Sequence, residues 1–320
     1  MAVNTKAINR RIKSVKNTRK ITKAMEMVAA TKMRKAVEAA LATRTYAQLA
    51  WDLLVHLSKS QKTELPLMRT EPVKRLLVIL LTSNRGLCGS FNSNIIKKTA
   101  VQLADPRNIS IHRSEAGKDI EPSEIIEVDV IGVGKKGADF AKKTGHNLIA
   151  SFSDLSDRPT MGDILPVAKM AMDAFREKKY DKVVVAYTNY VSAIAQVATL
   201  RQVLPVSEVD LEKTIAESGK DTENTDLEKT SEDKMSEYIF EPSKEEVLET
   251  ILPRLVESQM YQSVVESAAS EHSSRMMAMR NASDAASEMI DDLTLTFNKA
   301  RQAGITQEIA EIAGGAAALE

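Results

Sequence analysis

Cysteine occurs once in the 320 residues, as Cys88, so no disulfide can close within the chain. Histidine is almost as scarce, and four scattered residues (His56, His112, His146, His272) leave no zinc cluster to build. A reducing compartment is the expectation. The 12 Gly and 9 Pro make about 7% of the chain, against about 12% in an average globular protein. Long uninterrupted elements follow. Aromatics are only 4%, yet hydrophobic residues at 43% suffice to bury a core, which excludes collagen-like and wholly disordered classes. The longest apolar runs, around Leu76 to Leu81 and Val183 to Ala186, fall far short of the roughly 18 residues a membrane span needs. The first residues, MAVNTKAINRRIKS, lack the apolar core of a signal peptide. A transit peptide is set aside as well, because the helical pattern runs on without a cleavage-like break.

A net charge of zero conceals two opposed segments. Residues 1–40 hold eleven Lys and Arg against Glu26 and Glu38, a local balance of about +9 that calls for an acidic or polar partner. From Pro205 to Glu241 the sign reverses, and large apolar residues become few. That stretch reads as a solvated linker.

From Thr5 to about Ser60 there is neither Gly nor Pro, and Ile8, Ile12, Val15, Met25, Val28 or Ala29, Met33 and Val37 recur three and four apart. This predicts a helix with a narrow apolar stripe, about 80 Å long at 1.5 Å per residue. At the other end Ser243 and Glu246 form a capping box after Pro242, and Gly is absent until Gly304. Pro253 is expected to kink this second helix or reset its start. Beyond it Met279, Ala282 or Ser283, Ala286, Ile290, Leu293, Phe297, Ala300 and Gly304 repeat at close to 3.5 residues, a coiled-coil seam. The two helices are expected to wrap antiparallel.

Between them VKRLLVILLTS, IIEVDVIGV, KVVVAYTNY and SAIAQVATLRQVLPV read as strands, and SNIIKKTAVQL, GADFAKKTG and DILPVAKMAMDAFREKKY as helices. Alternation of this kind predicts a mostly parallel sheet. The fold class is therefore α/β: a long antiparallel coiled coil of the N- and C-terminal helices plus a central Rossmann-like α/β domain. The expected divisions are 1–60 and 242–320 for the helices, 72–205 for the domain and 206–241 for the acidic linker.

Three motifs carry alternative chemistry. Gly132-Val133-Gly134-Lys135-Lys136-Gly137 satisfies G-x-G-x-x-G after a strand, with Asp154 about twenty residues on, where a dinucleotide ribose would sit. We read it instead as a tight turn whose glycines relieve crowding, since its strand is not the first of the domain and no catalytic pair follows. Thr82 to Asn92 is a second anion-cradling candidate but lacks the Gly-Lys-Ser/Thr ending of a nucleotide loop, and Cys88 within it has no nearby histidine to make it a nucleophile. The basic first helix suits nucleic acid, but residues 1–45 hold no aromatic stacking platform before Tyr46, and the cations spread around the circumference. A DNA-binding protein would show affinity falling steeply with salt, and a nicotinamide-dependent enzyme would lose its dinucleotide on Gly134→Val. The Met cluster (Met25, Met27, Met33; Met276, Met277, Met279) is core filling by default, and where exposed suits a surface that meets several partners.

The chain ends KITKAMEMVAATKMRKA (Lys20 to Ala36) and SRMMAMRNASDAASEMIDDLTLTFNKARQAGITQEIAEIAGGAAAL (Ser274 to Leu319), with NRGLCGSFN, VESQMYQSVVESAASE and YIFEP between them, resemble the gamma subunit of the rotary ATP synthases, bacterial type. The resemblance spans nearly the whole chain in order, and ITQEIAEIAGGAAA is its most diagnostic stretch. It implies a central shaft inside a ring of three alpha and three beta subunits, with the α/β domain against the epsilon subunit and the membrane c-ring. It implies no catalytic residue, no cofactor and no nucleotide in this chain, and a peripheral place on the cytoplasmic side of the cell inner membrane. By similarity the shaft-to-ring contacts fall at Met25 on one helix and at Arg280, Arg301, Gln302 and Thr306 on the other. The acidic segment is longer than a minimal bacterial member requires. Chloroplast members carry a regulatory cysteine pair, for which this chain has only Cys88.

Overall fold

The computed structural model describes residues 5–58, 65–112, 120–153, 155–206 and 243–317. Asp154 and the acidic stretch 207–241 lie outside these described residues. In chain order the elements are α1 (Thr5–Ser58), a 3-10 turn (Pro66–Met68), β1 (Arg75–Leu81), α2 (Phe91–Ala104), α3 (Arg107–Ser110), β2 (Glu127–Val133), α4 (Lys135–Thr144), β3 (Asn147–Phe152), α5 (Met161–Arg176), β4 (Lys182–Tyr190), β5 (Gln196–Leu204) and α6 (Lys244–Ala317). The chain divides into two compact units, Lys32–Ser274 and Met1–Thr31 with Arg275–Glu320.

In the Lys32–Ser274 unit the sheet order is β3-β2-β1-β4-β5. The β1–β2, β1–β4 and β2–β3 pairs are parallel. β1 is central and buried on both faces from Leu76 to Leu81, which is why its sequence is a continuous apolar run instead of an alternation. One face packs Leu77, Ile79, Ile131, Val185 and Tyr187 against Ile164, Val167 and Phe175 of α5 and Leu252, Val256 and Met260 of α6. The opposite face packs Leu76, Val78, Leu80 and Val130 against Ile95 of α2 and Ala141 of α4.

Four features refine the expectation. β5 runs antiparallel to β4, because Val191 to Ala195 is far too short for a parallel crossover and closes as a hairpin, with Ser192 N–H donating to Ala195 O at 2.9 Å. β3 is an additional strand at the sheet edge, half-exposed in strict alternation, and its Asn, Ala and Ser hide it from an apolar pattern. α6 continues through Pro253 as one helix, started by Ser243 Oγ, which accepts from Glu246 N–H at 3.2 Å. α5 likewise begins two residues earlier than its apolar pattern, because Thr160 and Asp163 make a reciprocal capping box.

In the other unit α1 and α6 pair antiparallel. Thr22 Oγ1 and Ser283 Oγ share a hydrogen bond of 2.7 Å, and Arg19 Nη1 donates to Ser287 Oγ at 3.3 Å, so a step back along α1 is a step forward along α6. Ile12, Thr22 and Ala29 are buried on α1, and Met279, Ser283, Ala286 and Ile290 on α6. Where the sequence left two options the seam takes Ser283 over Ala282 and Ala29 over Val28, and Val28 remains 55% exposed. Leu293, Phe297, Ala300 and Gly304 keep the same face and are half-buried.

Candidate functional site

The glycine-rich turn lies where a dinucleotide fold presents helix amides to a phosphate, so the fate of those amides decides what it can do. Gly134 has φ +92°, and a Cβ there would fall 2.1 Å from Thr82 O. Only glycine fits. The amides of α4 are then taken in succession: Lys135 N–H donates to Asn84 Oδ1 (2.9 Å), Lys136 N–H to Ser83 O (3.3 Å) and Gly137 N–H to Thr82 Oγ1 (2.8 Å). Gly134 N–H itself donates to Phe152 O at 2.8 Å. The loop after β1 thus occupies the anion cradle with its own oxygens, and the glycines serve close packing.

Open α/β sheets bind ligands at the carboxyl ends of their strands, and at that end of β4 the chain meets α6. Ser270 Oγ donates to Thr188 O at 3.1 Å and Ser273 Oγ to Ala193 O at 2.7 Å, both from buried hydroxyls. His272, also buried, places Nε2 3.3 Å from Asp157 O. The Asp157 carboxylate in turn pairs with Lys32 Nζ of α1. The Lys32 ammonium holds the Asp157 carboxyl below the usual carboxylate range against the opposing effect of partial burial, and His272 and Arg85 add to the lowering. Cys88 is buried beneath the same loop, with Asn92 Nδ2 donating to its sulfur at 3.2 Å, as a packed small side chain would be.

The helix pair presents the remaining candidate residues on its surface. Met25 is half-buried, and Arg280, Arg301, Gln302 and Thr306 are exposed. All five fall within one unit. The Thr22–Ser283 register sets Met25 level with Arg280, three residues along each helix, whereas Arg301, Gln302 and Thr306 lie beyond the level of Thr5. Thr306 Oγ1 donates back to Gln302 O at 2.9 Å, so its hydroxyl serves its own helix. Beside these, sequence reasoning passed over Ile21, Ile305, Ile309 and Ile312, at 61%, 49%, 61% and 74% exposure. Their signal was available, since 305, 309 and 312 are spaced four and three apart off the seam. On α1, Lys13, Lys16, Asn17, Arg19 and Lys20 line an open groove of about 330 Å³. Among the described residues no group of His, Cys, Asp and Glu is placed to hold a metal.

A small α/β domain whose glycine-rich turn is filled by its own loop, in a chain whose two ends pair as antiparallel helices, defines the class of protein by its fold. Comparison with known proteins narrows the class. A sequence model of the ATP synthase family matches residues 4–319, and the chain belongs to the ATP synthase gamma chain family. It is 43% identical to the ATP synthase gamma chain of Herpetosiphon aurantiacus, with 99% of each chain covered, and 41% identical to that of Acidithiobacillus ferrooxidans, again over 99% of each. Its fold resembles a chain of the Euglena gracilis mitochondrial ATP synthase in its OSCP/F1/c-ring structure (TM-score 0.61, 18% identity, 98% and 94% covered). It also resembles one of the Tetrahymena thermophila ATP synthase central stalk and c-ring (TM-score 0.54, 24% identity, 82% and 99% covered). Among the described residues no helix is long and apolar enough to cross a membrane.

Proposed function

We propose that this chain is the central rotary shaft of an ATP synthase of bacterial type. It would couple ion flow through a membrane c-ring to ATP synthesis or hydrolysis at beta-subunit sites in a ring of three alpha and three beta subunits. The observation that carries the reading is the antiparallel pairing of the two chain ends at Thr22 and Ser283, with large apolar side chains left on the outside of the pair. A helix pair this uneven around its circumference offers each neighbour in a ring a different face. Turning it therefore exchanges the states those neighbours are held in, because only differential contact can bias an equilibrium.

In this reading the chain supplies no catalytic acid, base or nucleophile. Met25 with Arg280 would form one level of contact to the ring, and Arg301, Gln302 and Thr306 a second, near the end of α6. The basic groove of α1 is suited to acidic loops on the beta subunits at a range where exact packing is not needed. The α/β domain would meet the epsilon subunit and the c-ring. The chain is accordingly placed as a peripheral component on the cytoplasmic side of the cell inner membrane.

The test is a cysteine at Gln302, in a chain whose Cys88 is replaced by Ser, cross-linked to a beta subunit in the reconstituted complex. Hydrolysis lost on oxidation and recovered on reduction supports the shaft. Full turnover in the cross-linked complex, with a second cross-link at Met25 likewise without effect, overturns it.

A further inference from the structure

Asp157 sits between β3 and α5, in a loop braced from within. Ser156 Oγ donates to Arg158 O and accepts from Arg158 N–H at 3.1 Å, and two residues later the Thr160 and Asp163 capping box fixes the start of α5. The segment is therefore held at both ends of the residue that matters. We propose that Asp157 is the positioning residue through which the α/β domain grips both long helices, its carboxylate holding α1 at Lys32 and its main-chain carbonyl holding α6 at His272.

The geometry gives the two oxygens separate tasks. The ion pair reaches α1 from a side chain 57% exposed, while His272 on α6 is 2% exposed. The α6 contact is thus the buried, fixed one and the α1 contact the adjustable one. The Lys32 hydrogen bond favours the ionised carboxylate, and Arg85, from the loop after β1, adds a smaller contribution of the same sign. In sequence, Lys32 is one residue from Thr31 and His272 three from Arg275, the residues at which the chain enters the paired helices. A grip at these positions is where twist in the pair would be handed to the domain. This use of the grip rests on the shaft reading, while the grip itself does not.

The experiment has two arms. In the isolated full chain, Asp157→Asn removes the charge and keeps the carbonyl and the loop. Hydrogen exchange of α1 amides around Lys32 is expected to quicken about two- to fivefold, the range an exposed ion pair commands, while β1 and β4 amides stay unchanged. Lys32→Met should act alike, the double variant should be no worse than either single one, and Lys32→Arg should restore the slow rate. In the complex reconstituted in vesicles, Asp157→Asn is expected to hydrolyse ATP at the original rate while pumping fewer ions per ATP, with Lys32→Arg retaining the original ratio. Unchanged exchange at α1, or an unchanged pumping ratio, overturns the proposal. A wild-type chain that fails to assemble with alpha and beta subunits would instead overturn the shaft reading, and the exchange arm would still decide the grip.

Discussion

Thr22 Oγ1 and Ser283 Oγ meet at 2.7 Å across 261 positions of sequence, a buried polar contact in a seam otherwise made of Ile12, Ala29, Met279, Ala286 and Ile290. Polar pairs of this kind specify alignment in coiled coils, because any other alignment sets each hydroxyl against an apolar side chain. Thr22 Oγ1 also lies 3.0 Å from Arg19 O, which gives its proton a second acceptor on its own helix.

Thr22→Val leaves the Ser283 hydroxyl without its partner and is expected to cost about 1–2 kcal/mol in thermal or denaturant unfolding. Adding Ser283→Ala should recover part of that cost, so the double variant is less destabilised than the two single effects summed. Strict additivity would show that the contact carries no coupling.

Gly134→Ala should destabilise the domain by about 3 kcal/mol or more, since the added carbon meets Thr82 O and the φ of +92° is unfavourable to any L side chain. Gly304→Ala should do the reverse. Nothing lies within 4 Å of its would-be Cβ in a helical position, and the isolated chain is expected to gain up to about 1 kcal/mol. Paired melting curves of the two variants check both signs.

Asp157 has its folded pKa depressed below the ordinary 3.8, so its ion pair contributes stability above pH 3.8 that is lost as the pH falls through the folded value. The difference in stability between the wild type and Asp157→Asn should shrink below about pH 3.8 and be flat from there to neutrality. Tyr180 behaves oppositely. Burial, then its 2.6 Å hydrogen bond to Asp129 Oδ2, raises its pKa above the ordinary 10.0, so the phenol contributes stability below pH 10 that is lost as the pH rises beyond it. Tyr180→Phe should flatten that alkaline decline.

Ile309→Asp changes a side chain 61% exposed and touches no part of the described core, so the isolated chain should unfold within about 0.5 kcal/mol of wild type. Assembly with alpha and beta subunits should weaken if this face meets the ring. A wild-type yield of complex would place the contact elsewhere on α6.

Much of the architecture was legible. β1 and β4 are dense in branched apolar residues and buried nearly throughout, and a central strand leaves few other readings. The heptad positions Met279, Ser283, Ala286 and Ile290 are buried, and Ser283 meets Thr22 of α1, as the spacing of the seam led one to expect. β3 was not legible, because an edge strand buries one side only and Asn147, Ala150 and Ser151 dilute the signal that remains. The expectation of a mostly parallel sheet left the direction of β5 open, although a five-residue link after Tyr190 already precludes a crossover. Thr22 was passed over for a different reason. A search for apolar periodicity discards a hydroxyl, and the partner that makes it part of the seam lies at the far end of the chain.

By itself the sequence determined the two long helices, since α1 has neither Gly nor Pro and α6 keeps a 3.5-residue stripe from Met279 onward, and it determined a small α/β domain between them. It also offered a phosphate-binding turn at Gly132 to Gly137. Only the tertiary structure decided that turn's use, by bringing Thr82, Ser83 and Asn84 from the loop after β1 onto the amides of α4. The reason is general to backbone amides: local spacing shows that donors point outward from a helix start, while which acceptor satisfies them depends on what the fold carries there.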